Sequence, residues 1–203
     1  MKLPRDVYLH DDVVECAQYF IGKSIVTAIN GQVTAAKIVE TEAYCGKNDR
    51  ACHASKGKTP RTEIMFRQGG TAYNYLCYGI HTLFNIVTNT KGNADAVLVR
   101  AVEPLYGEEL MLERRDFMKV KPELTNGPGK VAQARGITRK ENGELLTGDV
   151  IWLEDSKTCD KNDLIASHRV GVNFAGNDAL KNWRFRLKSS AFAGKDYTAD
   201  PKL

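Results

Sequence analysis

The segment Ile38-Val39-Glu40-Thr41-Glu42-Ala43-Tyr44 sets two carboxylates two positions apart in an otherwise mostly apolar stretch. In a β-strand successive side chains point to opposite faces. Ile38, Glu40, Glu42 and Tyr44 would then share one face, and Val39, Thr41 and Ala43 the other. The two acidic Cβ atoms would stand roughly 6–7 Å apart, twice the rise per residue. Buried like charges raise each other's pKa unless donors satisfy them, so such a pair needs an arginine, a backbone N–H or water close by. It is either the solvated face of an edge strand or a supported acid–base centre. Two carboxylates projecting in parallel do not straddle a glycosidic bond, as paired-carboxylate sugar cleavage requires. At most one would act directly, and the other would be structural or support it.

Other polar and aromatic residues interrupt apolar runs in a similar way. Tyr73, Tyr75 and Tyr78 fall within six positions; Tyr73 and Tyr75 share a strand face, and Tyr78 either points the opposite way or stands at a bend made by Gly79. Any one of them could simply pack in a core, but flat rings beside a positive loop are also how proteins stack nucleobases. That loop, Gly46 to Arg61, carries Lys47, Arg50, Lys56, Lys58 and Arg61, and holds His53 next to Cys52. Asn85 lies within Leu83-Phe84-Asn85-Ile86-Val87, and Arg100 follows Val97-Leu98-Val99. A buried amide must find partners, and a buried guanidinium demands a carboxylate, for which the Glu40/Glu42 pair is the natural candidate. Gly127-Pro128-Gly129-Lys130 could open a helix whose free N–H groups hold a phosphate, although the spacing of a nucleotide P-loop is absent.

These residues need a scaffold of strands. Asp11 reads as an N-cap, followed by Val13, Ala17, Phe20 and Ile21 at helical spacing, with Gly22 as the stop. Ser24 to Ile29 is a strand, and Asn30-Gly31 is a hairpin turn leading into a long strand from Gln32 to Tyr44. Gly69-Gly70 turns the chain into strand Thr71 to Tyr78. Strands His81 to Thr88 and Asp95 to Val102 flank a turn at Lys91-Gly92-Asn93. Leu105 to Phe117 reads as a helix with Glu103-Pro104 before it, and Lys130 to Arg135 as another. Val150 to Leu153, Val170 to Phe174 and Phe185 to Leu187 read as short strands, and Asp196 to Leu203 as a polar tail. Strands and helices do not alternate regularly, so the expected fold is α+β. It is one domain over residues 1–203, with a curved, largely antiparallel sheet, flanking helices and a protruding β-hairpin.

The composition agrees. The 203 residues are 42% hydrophobic and 27% charged, enough to bury a core and unlike a disordered chain. A net charge of +4 permits a polyanionic partner without requiring one. No apolar run is long enough to span a bilayer, and no signal peptide opens the chain. The five cysteines are irregularly spaced with no CxxC pair, which suits free thiols in a reducing compartment rather than disulfides or structural zinc. Cys52 reads first as a small buried hydrophobe.

Taken in order, the segments Ile38–Tyr44, Ala51-Cys52-His53, Thr59-Pro60-Arg61, Met65-Phe66, Tyr73-Asn74-Tyr75, Tyr78-Gly79, Phe84-Asn85-Ile86, Val97–Pro104, Gly127–Lys130, Trp152-Leu153-Glu154 and Arg169–Val172 resemble the alkyladenine (3-methyladenine) DNA glycosylase family across nearly the whole chain. The resemblance implies base excision of alkylated or deaminated purines from double-stranded DNA after extrusion of the damaged nucleotide. It casts Glu42 as the general base for water and Arg100 as the residue that helps hold that water and the carboxylate. Tyr44 and His53 would stack on one face of the extruded base and Tyr75 on the other. Asn85 would crowd the amine of normal guanine, and Tyr78 would be the wedge in the minor groove. Arg61, Lys58, Gly127, Gly129 and Lys130 would meet backbone phosphate, and Glu40 would give support. The resemblance implies no metal or cofactor, a monomer, no membrane partner, no lyase step, and a location in the bacterial cytoplasm or nucleoid, or in the nucleus of a eukaryote. Thr62-Glu63-Ile64 and the loop from His53 to Thr59 depart from the family pattern, which bears on lesion range. Two other classes remain: a non-catalytic module that binds damaged DNA or RNA through the same tyrosines, and a metallohydrolase built on Glu42, His53 and Cys52.

Overall fold

The structure is a computed structural model that describes residues 1–156 and 159–195; the polar tail expected from Asp196 onward lies outside them. Its organising element is the long strand β2 (Gln32–Tyr44), entered from β1 (Ser24–Ile29) through the Asn30-Gly31 turn. Both turn residues have positive φ, 53° and 74°, the conformation that this tight hairpin requires. On its other edge β2 pairs with β5 (Asp95–Tyr106), which pairs with β4 (His81–Thr88), which pairs with β3 (Ala72–Cys77). β6 (Ile151–Glu154) lies outside β1. β8 (Arg184–Leu187) pairs with the second half of β2 and carries β7 (Leu164–Ser167) beyond it. Every pairing among these eight strands is antiparallel, so the α+β expectation holds.

The sheet's two faces do different work. Phe84, Ile86, Val97, Val99 and Ala43 point into the main core with the buried residues of α1 (Val13–Tyr19) and α3 (Pro128–Arg135). The Thr41 hydroxyl donates to the Ala17 carbonyl of α1 at 2.8 Å. Registers align the opposite face into one row: Tyr73 stands across from Asn85, Asn85 from Leu98, Leu98 from Glu42, and Glu42 from Arg184. The alternation seen along β2 is thus repeated on four neighbouring strands.

Several expectations need correction. The first helix is capped by Asp12, not Asp11; its carboxylate accepts from the Val14 and Glu15 amides. Leu105 does not begin a helix. β5 runs on to Tyr106, with Pro104 opposite Ala36 beside a register shift, where the ladder tolerates a missing N–H. Gly107 then turns the chain (φ 73°), in a place where a Cβ would lie 2.6 Å from the Val33 carbonyl oxygen. Only after it does α2 (Glu108–Arg115) form. Val170 to Phe174 is no strand: Gly171 has φ 75°, and a 3-10 segment, Asn173–Leu180, follows. β7 was not expected. The strand expected to reach Tyr78 stops at Cys77, and Tyr78 sits in the turn with φ 50°.

Candidate active site

Tyr73, Asn85 and Leu98 of this row belong to one wall of a cavity of about 510 Å³. β3 and β4 contribute Tyr73, Tyr75, Leu83 and Asn85; β5 contributes Ala96, Leu98 and Arg100; β2 contributes Tyr44. His53 and Arg61 close it from the loop after β2, and Val170, Gly171, Val172 and Phe174 from the segment that runs into the last 3-10 turn. Each expected base-contacting residue, Tyr44, His53, Tyr75 and Asn85, therefore lines one space.

Glu42 lies directly behind that wall, with no solvent exposure. The Tyr44 hydroxyl donates to Oε2 at 2.7 Å, the Val170 amide donates to Oε1 at 2.8 Å, and Arg100 Nη1 stands 3.3 Å from Oε2. Tyr44, Val170 and Arg100 all line the cavity. Burial and the negative charge of Glu42 together push the Tyr44 phenol well above its ordinary value, so it stays a donor.

Glu40 is held differently. Its Oε1 accepts from Arg100 Nε at 2.9 Å and Arg184 Nε at 2.7 Å, and its Oε2 from the Gly194 amide at 2.6 Å. Burial alone would raise its pKa; the two guanidinium charges and these hydrogen bonds outweigh that and lower it. Arg100 is likewise raised, because Glu42 and Glu40 overcome its own desolvation. One guanidinium thus bridges both carboxylates, and the pair is not a solvated edge.

Tyr73 and Tyr75 stack with ring centres 5.6 Å apart. His53 meets Tyr75 edge to face at 4.5 Å, and its Nδ1 lies 3.1 Å from the Tyr73 hydroxyl. The three rings touch one another rather than standing as separate plates. Part of the imidazole meets solvent, yet its packed side and the Arg61 charge hold His53 below the usual imidazole range. Arg61 lies over the Tyr75 ring at 5.5 Å. The Asn85 amide donates to the Tyr73 carbonyl at 3.0 Å, which fixes it against the wall. Tyr78 is 90% exposed at the β3–β4 tip, next to Ile80 at 73%.

The expected phosphate contacts are more scattered. Lys58 is exposed on its loop and does not line the cavity. Gly127 is the N-cap of α3, Pro128 reaches the cavity, and Gly129 packs where a Cβ would lie 3.1 Å from His81, beside the tip of the β3–β4 hairpin. Lys130 donates to Asn126 Oδ1 at 2.8 Å. Cys52 is buried, donates to the Ala94 carbonyl, and has its thiol pushed up to about 12 by burial, the character of a packing residue. Among the described residues no three His, Cys, Asp or Glu side chains cluster as a metal site would need.

Sequence reasoning missed the support behind Val170. Arg169 is fully buried in a two-pronged pair with Asp49, donates to the Ala43 and Asp178 carbonyls, and lies over the Tyr44 and Trp183 rings. Its partner is 120 positions away, so no local pattern could reveal it. Arg184 was legible in principle, since Arg184-Phe185-Arg186 interrupts an apolar strand as Arg100 does.

A family model described as methylpurine-DNA glycosylase (MPG) matches residues 7–191. The chain belongs to the methylpurine-DNA glycosylase family. Membership carries the class of a DNA glycosylase, a base-excision-repair hydrolase that acts on N-glycosyl bonds. Relatives in this family include a protein of Methanocella arvoryzae, 43% identical over 199 residues and covering 98% of each chain. One of Chlamydia felis is 43% identical over 187 residues, 91% of this chain and 95% of its own. One of Natranaerobius thermophilus is 39% identical over 195 residues, 95% of this chain and 98% of its own. All three are provisionally named 3-methyladenine DNA glycosylase. No helix among the described residues is long and apolar enough to cross a membrane.

Proposed function

We propose that this methylpurine-DNA glycosylase family member removes alkylated and deaminated purines, of the 3-methyladenine, hypoxanthine and ethenoadenine class, from duplex DNA as a monomer. Water displaces the base and an abasic site remains. The observation that carries this reading is the position of Glu42: a fully buried carboxylate whose hydrogen-bond donors, Tyr44 and Val170, and ion-pair partner, Arg100, all line one aromatic cavity.

The exposed Tyr78 tip enters the minor groove and fills the gap left by the extruded nucleotide. The purine enters the cavity beside Tyr44 and Tyr75, and His53 swings off Tyr75 to clasp it. Asn85, pinned by the Tyr73 carbonyl, crowds an exocyclic amine at the guanine position, so undamaged guanine is refused by a clash. Oε1 of Glu42 has one protein donor and keeps acceptor capacity for a water proton. Because Glu42 is covered in the free protein, water reaches it only when the Tyr44 hydroxyl or the Val170 amide yields to the incoming nucleotide. Glu42 then takes the water proton as the oxygen attacks C1′, and its negative charge stabilises the cationic sugar. Arg100 holds the carboxylate in place, and Glu40 with Arg184 holds Arg100. Cationic lesions such as 3-methyladenine leave directly as the neutral base, whereas neutral lesions such as hypoxanthine take a proton from solvent as the bond to C1′ breaks. The reaction as drawn uses no metal or cofactor.

A panel of duplexes with single lesions tests this. The expected result is free-base release from at least one alkylated or deaminated purine, none from undamaged guanine, and a strand that breaks only after alkali. No release from any member would overturn the substrate class. Strand scission without alkali would overturn the purely hydrolytic step.

A further inference from the structure

Phe174 is a large aromatic residue that is 74% exposed and lines the same cavity as Tyr44, His53 and Tyr75. Its exposure does not come from a loosely held segment. The neighbouring Val172 and Ala175 are buried in a small cluster with Ala51, against Tyr44. The segment is also fastened to the loop after β2: the Arg50 amide donates to Asp178 Oδ2 at 3.0 Å, Lys181 Nζ donates to the Asn48 carbonyl at 2.7 Å, and Arg169, paired with Asp49 of that loop, donates to the Asp178 carbonyl at 3.0 Å. Phe174 is thus an apolar ring held out to solvent by a braced backbone. The loop it is fastened to presents Lys47 and Arg50, both exposed. A flat ring at a cavity mouth with exposed cations on the loop bonded to its segment matches a ligand that carries both stacking surfaces and negative charge, which is a nucleic acid strand. Tyr78, the other highly exposed aromatic of this cavity, comes from a different element, the β3–β4 tip.

We infer that Phe174 is a second aromatic contact for DNA, packing on a nucleotide that flanks the extruded one in the damaged strand, with Lys47 and Arg50 near its phosphates. The inference rests on the proposed extrusion of a nucleotide into this cavity. It separates two roles. Tyr78 fills the hole in the duplex, and Phe174 holds the strand at the mouth. A flanking contact is blind to which lesion lies in the cavity.

The test uses the full chain and duplexes with a single hypoxanthine or ethenoadenine. Equilibrium binding and single-turnover base release are measured for the parent, Phe174→Ala, Phe174→Leu and Phe174→Tyr. Thermal midpoints serve as the folding control; an exposed side chain should leave them unchanged. The expected result is a Kd at least fivefold weaker for Phe174→Ala by the same factor on both lesions, little recovery with leucine, recovery with tyrosine, and a saturating release rate within about twofold of the parent. A Kd within twofold of the parent would overturn the inference. A loss confined to one lesion would also overturn it, because it would put Phe174 against the extruded base. If the parent binds both duplexes through Phe174 but releases no base, the DNA contact stands and the proposed reaction falls. If the parent releases base and Phe174→Ala binds normally, the reaction stands and this contact falls.

Discussion

Glu42 and Glu40 are two residues apart and share an arginine, yet the geometry gives them separate jobs that substitution should resolve. Glu42→Gln removes a charge from a site where Arg100 still has Glu40 at 2.9 Å, so no guanidinium is orphaned. The amide oxygen can keep the Val170 N–H, and the Tyr44 hydroxyl can turn to accept from the new NH2. The stability cost is then that of weakened charge-assisted hydrogen bonds, about 1–2 kcal/mol. The catalytic cost is that of a general base, about 10²- to 10⁴-fold, or about 2.7–5.5 kcal/mol in the barrier. Glu40→Gln has the opposite profile. It leaves the buried Arg184 without its carboxylate, and breaking a buried pair in this way costs about 3–5 kcal/mol. Release at saturating enzyme should fall less than for Glu42→Gln, because the carboxylate that meets water remains. Urea unfolding and single-turnover base release on a hypoxanthine duplex, run on both variants, decide the matter. If Glu42→Gln releases base at the parent rate, or if Glu40→Gln is the more inactive and the more stable of the two, the division of labour is wrong.

Tyr78 should matter to DNA and not to folding: Tyr78→Gly, which also suits the positive φ there, should leave the thermal midpoint unchanged and weaken lesion-duplex binding about 5- to 150-fold, as loss of a stacked ring does. Asp49→Asn strips the charge partner from buried Arg169 and should cost about 3 kcal/mol in denaturant unfolding; because Arg169 precedes the amide that holds Glu42, base release should fall as well. His53 has a folded-state pKa below its ordinary 6.5, so the unfolded chain binds the extra proton first. Stability should therefore rise with pH through the window just below 6.5, and His53→Gln should flatten that part of a thermal-midpoint-against-pH profile.

What was legible in the sequence was whatever local chemistry enforces. The Asn30-Gly31 turn, the alternation of Thr41 and Ala43 against Glu42 and Tyr44, and the shared face of Tyr73 and Tyr75 all follow from one stretch of chain at a time, and hold; at Ile38 and Val39, both in the main core beside a register shift, the alternation breaks. The failures came where distant contacts decide. Pro104 reads as a helix opening until the register shift against Ala36 gives it a place in a strand. Val170 to Phe174 has the β-branched content of a strand, but the Val170 amide is taken by Glu42 and Gly171 turns the chain. Arg100 and Asn85 could be flagged from sequence as buried polar groups in need of partners. That Arg100 would serve two carboxylates, and Asn85 a backbone carbonyl, could not.

The site is therefore encoded in strand register more than in any motif. Tyr73, Asn85, Leu98, Glu42 and Arg184 come from five strands and meet in one row only because each pairing falls on the right residue. A slip of one position between β4 and β5 would turn Asn85 into the core and bring Phe84 or Ile86 to the cavity. The core face resists that slip, since Phe84, Ile86, Val97 and Val99 fill it without exposure. The apolar alternation that holds the helices on one side of the sheet is thus the same constraint that keeps the carboxylate, the amide and the rings facing one another on the other. Arg100 fits this scheme as well. The β2–β5 ladder shifts register on both sides of Glu40, and this departure from a regular ladder lies where one guanidinium must reach two carboxylates on the neighbouring strand.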